Sequence, residues 1–298
     1  MSKALAIFNP LAGRGRAYKQ AQQVKQALAA VDLPHEIVVT ETRGHAIELA
    51  RRAALAGREL IVAVGGDGTL NEVVNGLMQA ADGADIPCTV GVLPMGSGND
   101  FAGSLGIPAE LRQAAERLRH GQVRRVDIGR VNDRYFDNNV GLGFEAMIDI
   151  EAQKLTWLRG FPGYLAGVFR AMVSFPFPQV RVHVDGEAWQ NGPTLMISVG
   201  NNRRIGGGFL ITPQAVPDDG LLDMCYVDAI PRREILRLLP KAINGKHEGE
   251  PAVHTRRFRH AVVESDSPLP VHADGEVLWH DARRVEITVY PGRLPVIV

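Results

Sequence analysis

The chain has 298 residues, 45% of them hydrophobic, and its 33 basic and 33 acidic side chains give a formal net charge of zero. This length and apolar content predict two folded domains and exclude a disordered chain. The balanced charge argues against a nucleic-acid partner. The two cysteines, Cys88 and Cys225, form neither a disulfide framework nor a metal-binding spacing, so a reducing cytoplasm is the expected compartment. No apolar stretch is long enough to span a bilayer.

Strand and helix signals alternate through the first 126 residues. We expect strands at Ala4–Phe8, His35–Thr40, Leu60–Val64 and Cys88–Leu93, with helical spacing of apolar residues between them and a helix from Asn71 onward. This alternation predicts an α/β fold, a doubly wound Rossmann-like nucleotide domain over residues 1–126, with 288–298 as its candidate last strand. Ligands of such sheets bind at the carboxyl ends of the strands.

A glycine-rich turn, residues 65–72 (Gly-Gly-Asp-Gly-Thr-Leu-Asn-Glu), follows the third expected strand and opens a helix. Three glycines let the backbone approach a bulky ligand, and a helix N-terminus suits a phosphate. Asp67 would repel a phosphate unless a cation such as Mg²⁺ lies between them. The alternative is a plain tight turn. We also expect Thr69 and Glu72 to form a capping box, which does not compete with phosphate binding.

The second half of the chain has a different pattern. Apolar and polar residues alternate in several short segments, and Asp-Gly pairs at 185–186, 219–220 and 274–275 predict hairpins. These features predict an antiparallel β-sandwich over residues 127–287, with helical inserts at Gln153–Phe175 and Arg232–Asn244.

Four further polar, glycine-containing clusters are weaker signals when each is taken alone. Residues 9–15 and 94–100 follow the first and fourth expected strands, where Ser97 and Asn99 could line a nucleotide. The consecutive acids in 217–220 could hold a hard cation, although exposed turns have the same composition. The last cluster, Asp274-Gly275-Glu276, predicts only a hairpin turn.

Taken in order along the chain, these motifs carry a family resemblance. Phe8-Asn9-Pro10, the 65–72 turn, Leu93–Ala102, Val126–Gly129, Pro217–Asp223 and His272–Glu276 together resemble the bacterial diacylglycerol kinase-like lipid kinases. These look related to eukaryotic diacylglycerol, sphingosine and ceramide kinases. The Gly-Gly-Asp-Gly-Thr motif alone also occurs in NAD kinases, whereas the ordered set is specific and covers nearly the whole chain.

The resemblance implies ATP bound between the α/β domain and the β-sandwich. It implies Glu276 as the base that accepts the lipid hydroxyl proton, which replaces the purely structural interpretation of that hairpin, and Asp67 as a residue acting on catalytic Mg²⁺. The implied nucleotide contacts are Asn9, Pro10, Leu11, Ala12, Gly13, Thr40, Gly65, Gly66, Asp67, Gly68, Thr69, Leu70, Asn71, Glu72, Ser97 and Asn99.

A second Mg²⁺ is implied in the β-rich domain. Its ligands would be Asp219 and backbone carbonyls near Val216 and Leu221, with Asp127 nearby. Some members of the family have a lysine where Val216 stands. The valine of this chain leaves the metal site intact if that position contributes only its backbone carbonyl. Many have a threonine in place of Ser97, and the hydroxyl is kept.

The function expected from these observations is ATP-dependent phosphorylation of a lipid hydroxyl, on a diacylglycerol-like lipid, phosphatidylglycerol or a sphingoid alcohol. The protein would be cytoplasmic and peripheral at the inner membrane face, and a homodimer is a further expectation. Two alternatives are a NAD kinase-like enzyme with a soluble substrate and a non-catalytic nucleotide- or lipid-binding regulator. The apolar segment from Trp157 to Met172 either walls an acyl-chain pocket or forms an ordinary core helix, and its apolar members are Trp157, Phe161, Tyr164, Leu165, Val168, Phe169 and Met172.

Overall fold

The computed structural model describes residues 3–10, 17–155, 158, 161–206 and 208–298, with the backbone alone at 17–20, 161, 162 and 164. Leu11, Ala12 and Gly13, which the resemblance places at the nucleotide, lie outside the described residues. The chain divides into two compact units. The first unit is Met1–Ile128 with Pro291–Val298, and the second unit is Gly129–Tyr290.

The first unit alternates strands and helices along the chain. Its elements are β1 (Ala4–Phe8), α1 (Ala17–Ala30), β2 (His35–Val39), α2 (His45–Leu55), β3 (Leu60–Gly65), α3 (Asp67–Ala81), β4 (Thr89–Pro94), α4 (Asp100–Ser104) and α5 (Leu111–His120).

The strands of the first unit form a parallel sheet in the order β2-β1-β3-β4. The predicted α/β fold is therefore confirmed. The apolar runs of β1 and β3 are buried along almost their whole length, because helices cover both faces of a parallel sheet. The helix expected from Asn71 begins four residues earlier, at Asp67.

The second unit is mainly antiparallel. β5 (Val123–Val131) enters it from the first unit. The elements that follow are β6 (Arg134–Phe136), β7 (Asn139–Gly143), α6 (Phe144–Gln153), α7 (Phe161–Ser174), β8 (Gln179–Val184), β9 (Glu187–Gly200), β10 (Leu222–Asp228), α8 (Arg232–Ile243), β11 (Val253–Phe258), β12 (His260–Ala273) and β13 (Glu276–Ile297).

The strands of the second unit run in the order β11-β10-β9-β7-β12-β13, and β8 pairs with both β9 and β12. Two of the three predicted hairpins form, whereas Asp219-Gly220 lies in the long connection between β9 and β10 and joins no two strands directly. Asp185-Gly186 and Asp274-Gly275 each have two successive positive φ angles, as a type I′ turn requires.

The helices of the second unit differ in part from the expectation. α7 and α8 lie within the expected inserts, but α6 was not predicted and ends where the first insert was expected to begin. Throughout the part of the chain that the structure describes, each helix is too short or too polar to cross a bilayer.

Candidate active site

Three turns of the first unit meet at one edge of the sheet. Because β1, β3 and β4 are parallel, the residues that follow them, Asn9, Gly66 and Gly96, emerge at the same edge. The backbone N–H of Asn9 donates to Val64 O (3.1 Å). A Cβ on Gly66 would lie 2.9 Å from the Gly96 Cα, so the turns after β3 and β4 pack backbone against backbone. Glycine is required there because any side chain would separate the two turns.

The first turn of α3 has no side-chain cap. Its N-cap residue, Gly66, is extended and has no side chain that could cap the helix, and Thr69 N donates to Gly66 O (3.0 Å). A Cβ built on Gly68 would meet no atom of the described residues within 4 Å, so none of them crowds this position. Uncapped N–H groups and the positive end of the helix dipole favour an anion at this position.

The predicted capping box is wrong, because both of its members serve other partners. Thr69 Oγ1 accepts a hydrogen bond from Asn9 Nδ2 (3.1 Å) and lies over Gly65, where a Cβ would come within 2.3 Å of it. The Glu72 carboxylate accepts from Gly44 N (2.9 Å) and Ala46 N (3.1 Å) at the start of α2. Contacts with other parts of the fold have therefore replaced the local cap, which leaves the N-terminus of α3 available to a ligand.

Asp67 and Asn99 fix the turn after β4. Asp67 Oδ1 accepts a hydrogen bond from Phe101 N (3.2 Å). Asn99 has a left-handed φ of 58°, and its side chain bonds both the N–H (2.9 Å) and the carbonyl (3.1 Å) of Gly96. Ser97, which lies between Gly96 and Asn99 in sequence, is exposed, whereas Thr40 is buried. The structure thus brings the glycine backbone of 65–66 and 96, the Thr69 hydroxyl and the Asp67 carboxylate together at the N-terminus of α3.

The second unit places Glu276 at the start of β13, directly after the Asp274-Gly275 turn. The partly buried Asp274 carboxylate accepts hydrogen bonds from three successive backbone N–H groups, those of Asp137 (2.9 Å), Asn138 (3.0 Å) and Asn139 (2.8 Å). Glu276 Oε2 lies 3.4 Å from Arg134 Nη2, and both side chains are one-third exposed. Asp274 therefore anchors the hairpin that presents Glu276, a role that the sequence motif alone did not indicate.

A buried charged cluster lies below this hairpin. His272 Nε2 is 3.1 Å from Glu145 Oε1, and His272 Nδ1 is 3.2 Å from Asp149 Oδ2. Asn139 Nδ2 also donates to Glu145 Oε1 (2.9 Å). Burial alone would lower the pKa of His272, but the two carboxylates raise it to about 9. Sequence reasoning missed this cluster, because His272 is more than a hundred residues away from Glu145 and Asp149 in the chain.

The cluster predicts a pH dependence of stability. A histidine whose pKa is raised on folding stabilises the protein fully below its unfolded pKa of about 6.5, and this contribution is lost as the pH rises through about 9. At about 1.4 kcal/mol per pKa unit, the difference corresponds to about 3 kcal/mol. We expect His272→Gln to flatten the fall in the free energy of unfolding between pH 6.5 and 9.5, measured by urea titration. His254→Gln, which removes a partly exposed histidine of the same unit, should keep the fall.

The metal site implied for the second unit has Asp219 as its main side-chain donor. Asp219 accepts a hydrogen bond from Leu221 N (3.1 Å) and forms an ion pair with Arg257. Asp223 Oδ2 is buried without a hydrogen-bond partner. Burial, with the nearby charges of Asp219 and Glu248, raises the pKa of Asp223 to about 6, although Arg257 opposes the change. This excess of negative charge fits a hard cation, and Asp223 is a candidate ligand that the sequence analysis did not single out.

Two of the other residues predicted to lie at this cation, Asp127 and Val216, belong to different units of the chain. Asp127 belongs to the first unit, where its carboxylate accepts a hydrogen bond from Gly292 N (2.6 Å). Val216 and Asp219 belong to the second unit. Among the described residues, no three side chains of the types His, Cys, Asp and Glu gather as a metal-binding group. A cation at Asp219 would therefore depend on backbone carbonyls as well.

Magnesium is expected to stabilise the protein through this site. A cation that binds only the folded state adds about 2–3 kcal/mol at ~100 times its Kd, so Mg²⁺ should raise the Tm. Asp219→Ala should remove this increase, whereas Asp281→Ala, at an exposed aspartate of the same unit, should keep it. An equal increase in both variants, measured by thermal unfolding with and without Mg²⁺, would place the cation elsewhere.

The second unit also contains an apolar cavity between α6, α8, β9 and β10. It comprises about 620 Å³ of empty space, part of it open to solvent. Its lining includes the apolar side chains Phe144, Ile148, Leu195, Phe209, Ile235 and Leu239, together with Glu145 and His247.

Within the segment Trp157–Met172, no side chain that the structure describes belongs to this lining. Of its described side chains, Val168 is buried in the core of the unit, Met172 packs against that core and Phe169 is exposed. None of these three lines the cavity. Trp157 and the side chains of Phe161 and Tyr164 lie outside the described residues.

An α/β unit with a glycine-lined edge of its parallel sheet, joined to a β-sandwich-like unit, defines the class of NAD kinase-like and lipid kinase folds. The diacylglycerol kinase catalytic domain family matches residues 3–131, and the YegS C-terminal NAD kinase beta sandwich-like domain family matches residues 138–298. The chain therefore belongs to the bacterial diacylglycerol kinase and YegS-like lipid kinase family, as the motifs predicted.

Individual relatives agree with this membership. The chain is 33% identical to a diacylglycerol kinase of Bacillus subtilis over 93% of its length and 90% of that protein. It is 36% identical to a probable lipid kinase YegS-like of Chromohalobacter salexigens, over 92% and 88%. A diacylglycerol kinase structure from Bacillus anthracis superposes with a TM-score of 0.75 at 25% identity, over 99% and 96%. An NAD kinase from Archaeoglobus fulgidus in complex with ATP shares the fold, with a TM-score of 0.52 at 14% identity, over 98% and 92%.

Proposed function

We propose that this protein transfers the γ-phosphoryl group of ATP to the hydroxyl of a lipid. The observation that carries the proposal is the N-terminus of α3, where Gly66 has no side chain to cap the helix, no described residue crowds Gly68 and the carboxylate of Asp67 lies in the first turn. Such an arrangement suits a polyphosphate with an accompanying cation. Membership of a lipid kinase family, whose catalytic domain implies the use of ATP, supports the same assignment.

The first unit supplies the nucleotide contacts in this proposal. Backbone N–H groups of residues 66–69 bind the phosphates, while Asn9, Thr40, Ser97 and Asn99 complete the site. Asp67 holds Mg²⁺ directly or through water. When bound, this ion neutralises charge that builds up on the phosphates. Asp67 can take this role without losing its structural one, because a single oxygen suffices for the hydrogen bond from Phe101 N.

The second unit supplies the proton acceptor. Glu276 accepts the proton of the lipid hydroxyl as the oxygen attacks the γ-phosphorus. The anchoring of Asp274 restricts the hairpin, so the Glu276 carboxylate has a defined position. Arg134, at 3.4 Å, orients that carboxylate. Arg134 is therefore a positioning residue in this proposal.

The apolar cavity favours a lipid over NAD as the phosphate acceptor. Its lining is predominantly aliphatic and aromatic, which suits an acyl chain and gives a dinucleotide few polar partners. The likeness to the archaeal NAD kinase, at 14% identity, concerns the fold. We assign the cavity to the acyl chain, with the substrate hydroxyl directed to Glu276.

A phosphorylation assay with labelled ATP tests the proposal. Diacylglycerol, phosphatidylglycerol and a sphingoid base would be offered in mixed micelles, and NAD in solution, with Asp67→Asn as the inactive control. Label in an organic-soluble product supports a lipid kinase and names its substrate. Label in NADP identifies the soluble-substrate alternative. Nucleotide binding without transfer to any lipid of a broad extract identifies the non-catalytic regulator.

A further inference from the structure

Two neighbouring helices of the second unit expose large apolar side chains. Phe169 and Val173 on α7 are 47% and 74% exposed, and Leu236 on α8 is 41% exposed. Phe169 and Val173 are one helical turn apart and therefore lie on the same face. Exposed aliphatic and aromatic groups that occur together mark an interaction surface more often than isolated ones do.

Hydrogen bonds hold these two helices together at this point. Arg232, in the first turn of α8, donates from Nε to Met172 O (2.6 Å) and from Nη2 to Val173 O (3.2 Å). Its guanidinium also lies 5.8 Å from the centre of the Phe177 ring. The start of α8 is thus fixed against the end of α7. Leu236 is one turn beyond Arg232, so the three exposed apolar side chains belong to one surface.

Arginines accompany the apolar groups. Arg233 and Arg237 are both exposed and one turn apart on α8, on either side of Leu236 in sequence. The whole helix carries four basic side chains and one acidic side chain, a net charge of +3, whereas the complete chain has a net charge of zero. We call Phe169, Val173, Arg233, Leu236 and Arg237 the docking surface.

The other face of α8 belongs to the apolar cavity. Ile235, Leu238, Leu239 and Ala242 line that cavity, whereas the arginines and Leu236 of the same helix are exposed. α8 therefore separates the cavity from the docking surface. An amphipathic helix with arginines and an exposed leucine matches the chemistry of an anionic bilayer surface, where cations meet phosphates and apolar groups reach the acyl region.

We propose that the docking surface binds anionic lipid bilayers and places α8 between the membrane and the cavity. Basic side chains near an anionic leaflet each contribute about fivefold in partitioning, and the attraction weakens as salt screens the charges. The role of the cavity in this arrangement rests on the proposed lipid kinase function. The binding of the surface to vesicles does not.

Vesicle cosedimentation tests the proposal with the full chain. Vesicles of phosphatidylcholine alone and with phosphatidylglycerol are compared at low and high salt. The double variant Arg233→Glu/Arg237→Glu should lose at least about tenfold in partitioning onto the anionic vesicles. The triple variant Phe169→Ser/Val173→Ser/Leu236→Ser should also lose binding, because it removes the apolar part of the surface.

Matched control variants lie in the first unit. Arg112→Glu/Arg119→Glu changes the net charge by the same amount at two exposed positions of α5, and Leu55→Ser removes a leucine that is 63% exposed on α2. Both controls should partition like the wild type. Equal losses in the controls, or wild-type protein that does not bind anionic vesicles, would overturn the proposal. A dimeric wild type and a monomeric triple variant would also overturn the proposal, because the surface would then join two copies of the chain.

Measurements of turnover beside vesicle binding distinguish a failure of the docking surface from a failure of the proposed lipid kinase function. A short-chain lipid dispersed as monomers needs no membrane, so the double variant should phosphorylate it at the wild-type rate. Vesicle binding without turnover on any lipid would contradict the kinase assignment alone. Turnover without vesicle binding would contradict the docking surface alone.

Discussion

Replacing Asp67 by asparagine is expected to reduce phosphoryl transfer by on the order of 10²-fold or more, because a neutral amide cannot replace a carboxylate beside Mg²⁺. Thermal stability should be unchanged. Asparagine keeps a carbonyl oxygen that can accept the hydrogen bond from Phe101 N, and the side chain is only partly buried. The measurement is the initial rate with an accepted lipid, made together with thermal unfolding of the same sample.

A matched control exists at the other end of the same helix. Asp82 is the C-cap residue of α3, with a left-handed φ of 42° that asparagine tolerates well. Asp82→Asn makes the same chemical change far from the glycine-lined edge of the sheet and should keep full activity. A rate for Asp67→Asn within a few-fold of the wild type would remove Asp67 from the catalytic machinery.

Glu276→Gln is expected to lose about 10²–10⁴-fold in turnover while nucleotide affinity stays near that of the wild type. Glutamine preserves the size of the side chain and can still interact with neighbouring groups, but it cannot accept a proton. The anchoring of the hairpin by Asp274 does not involve the changed group, so the fold should persist. ATP affinity from titration and turnover from the lipid assay are the two quantities to compare.

Glu286→Gln provides the comparison on the same strand. Glu286 is partly exposed on β13, where it contacts His260 and Arg284, and its replacement should leave turnover unchanged. Full activity in Glu276→Gln would move the base elsewhere, with Asp100 as the first candidate. Loss of ATP affinity without loss of the maximal rate would make Glu276 a binding residue.

The glycine-lined edge where β1, β3 and β4 end could be predicted because its signals are local. The apolar run of β3, the glycines after it and the helical spacing after Asn71 all lie within one short stretch, and parallel pairing brings the turns after β1 and β4 beside it. The capping box could not be predicted correctly. Thr69 and Glu72 have the right spacing, but Asn9 and the start of α2 supply partners from elsewhere in the fold.

In the second unit, contacts between residues distant in sequence limit the prediction even more. The hairpin at Asp274-Gly275 follows from its two residues, but the three N–H groups that its carboxylate binds come from residues 137–139. The contact of His272 with Glu145 likewise joins distant strands and helices. No periodicity or motif signals such pairs, because burial and charge compensation arise only when the sheet has formed.

β13 has a consequence for how the protein is made. This single 22-residue strand begins at Glu276 in the second unit and ends in the first, where Val296 pairs in parallel with Val90 of β4. On the ribosome, residues 1–128 emerge long before that partner, so β4 waits with an unpaired edge while the remainder is translated. An open edge invites association with other chains. We therefore expect a recombinant fragment ending at residue 128 to be poorly soluble, and coexpression of a peptide covering residues 291–298 to be a poor substitute for the continuous strand.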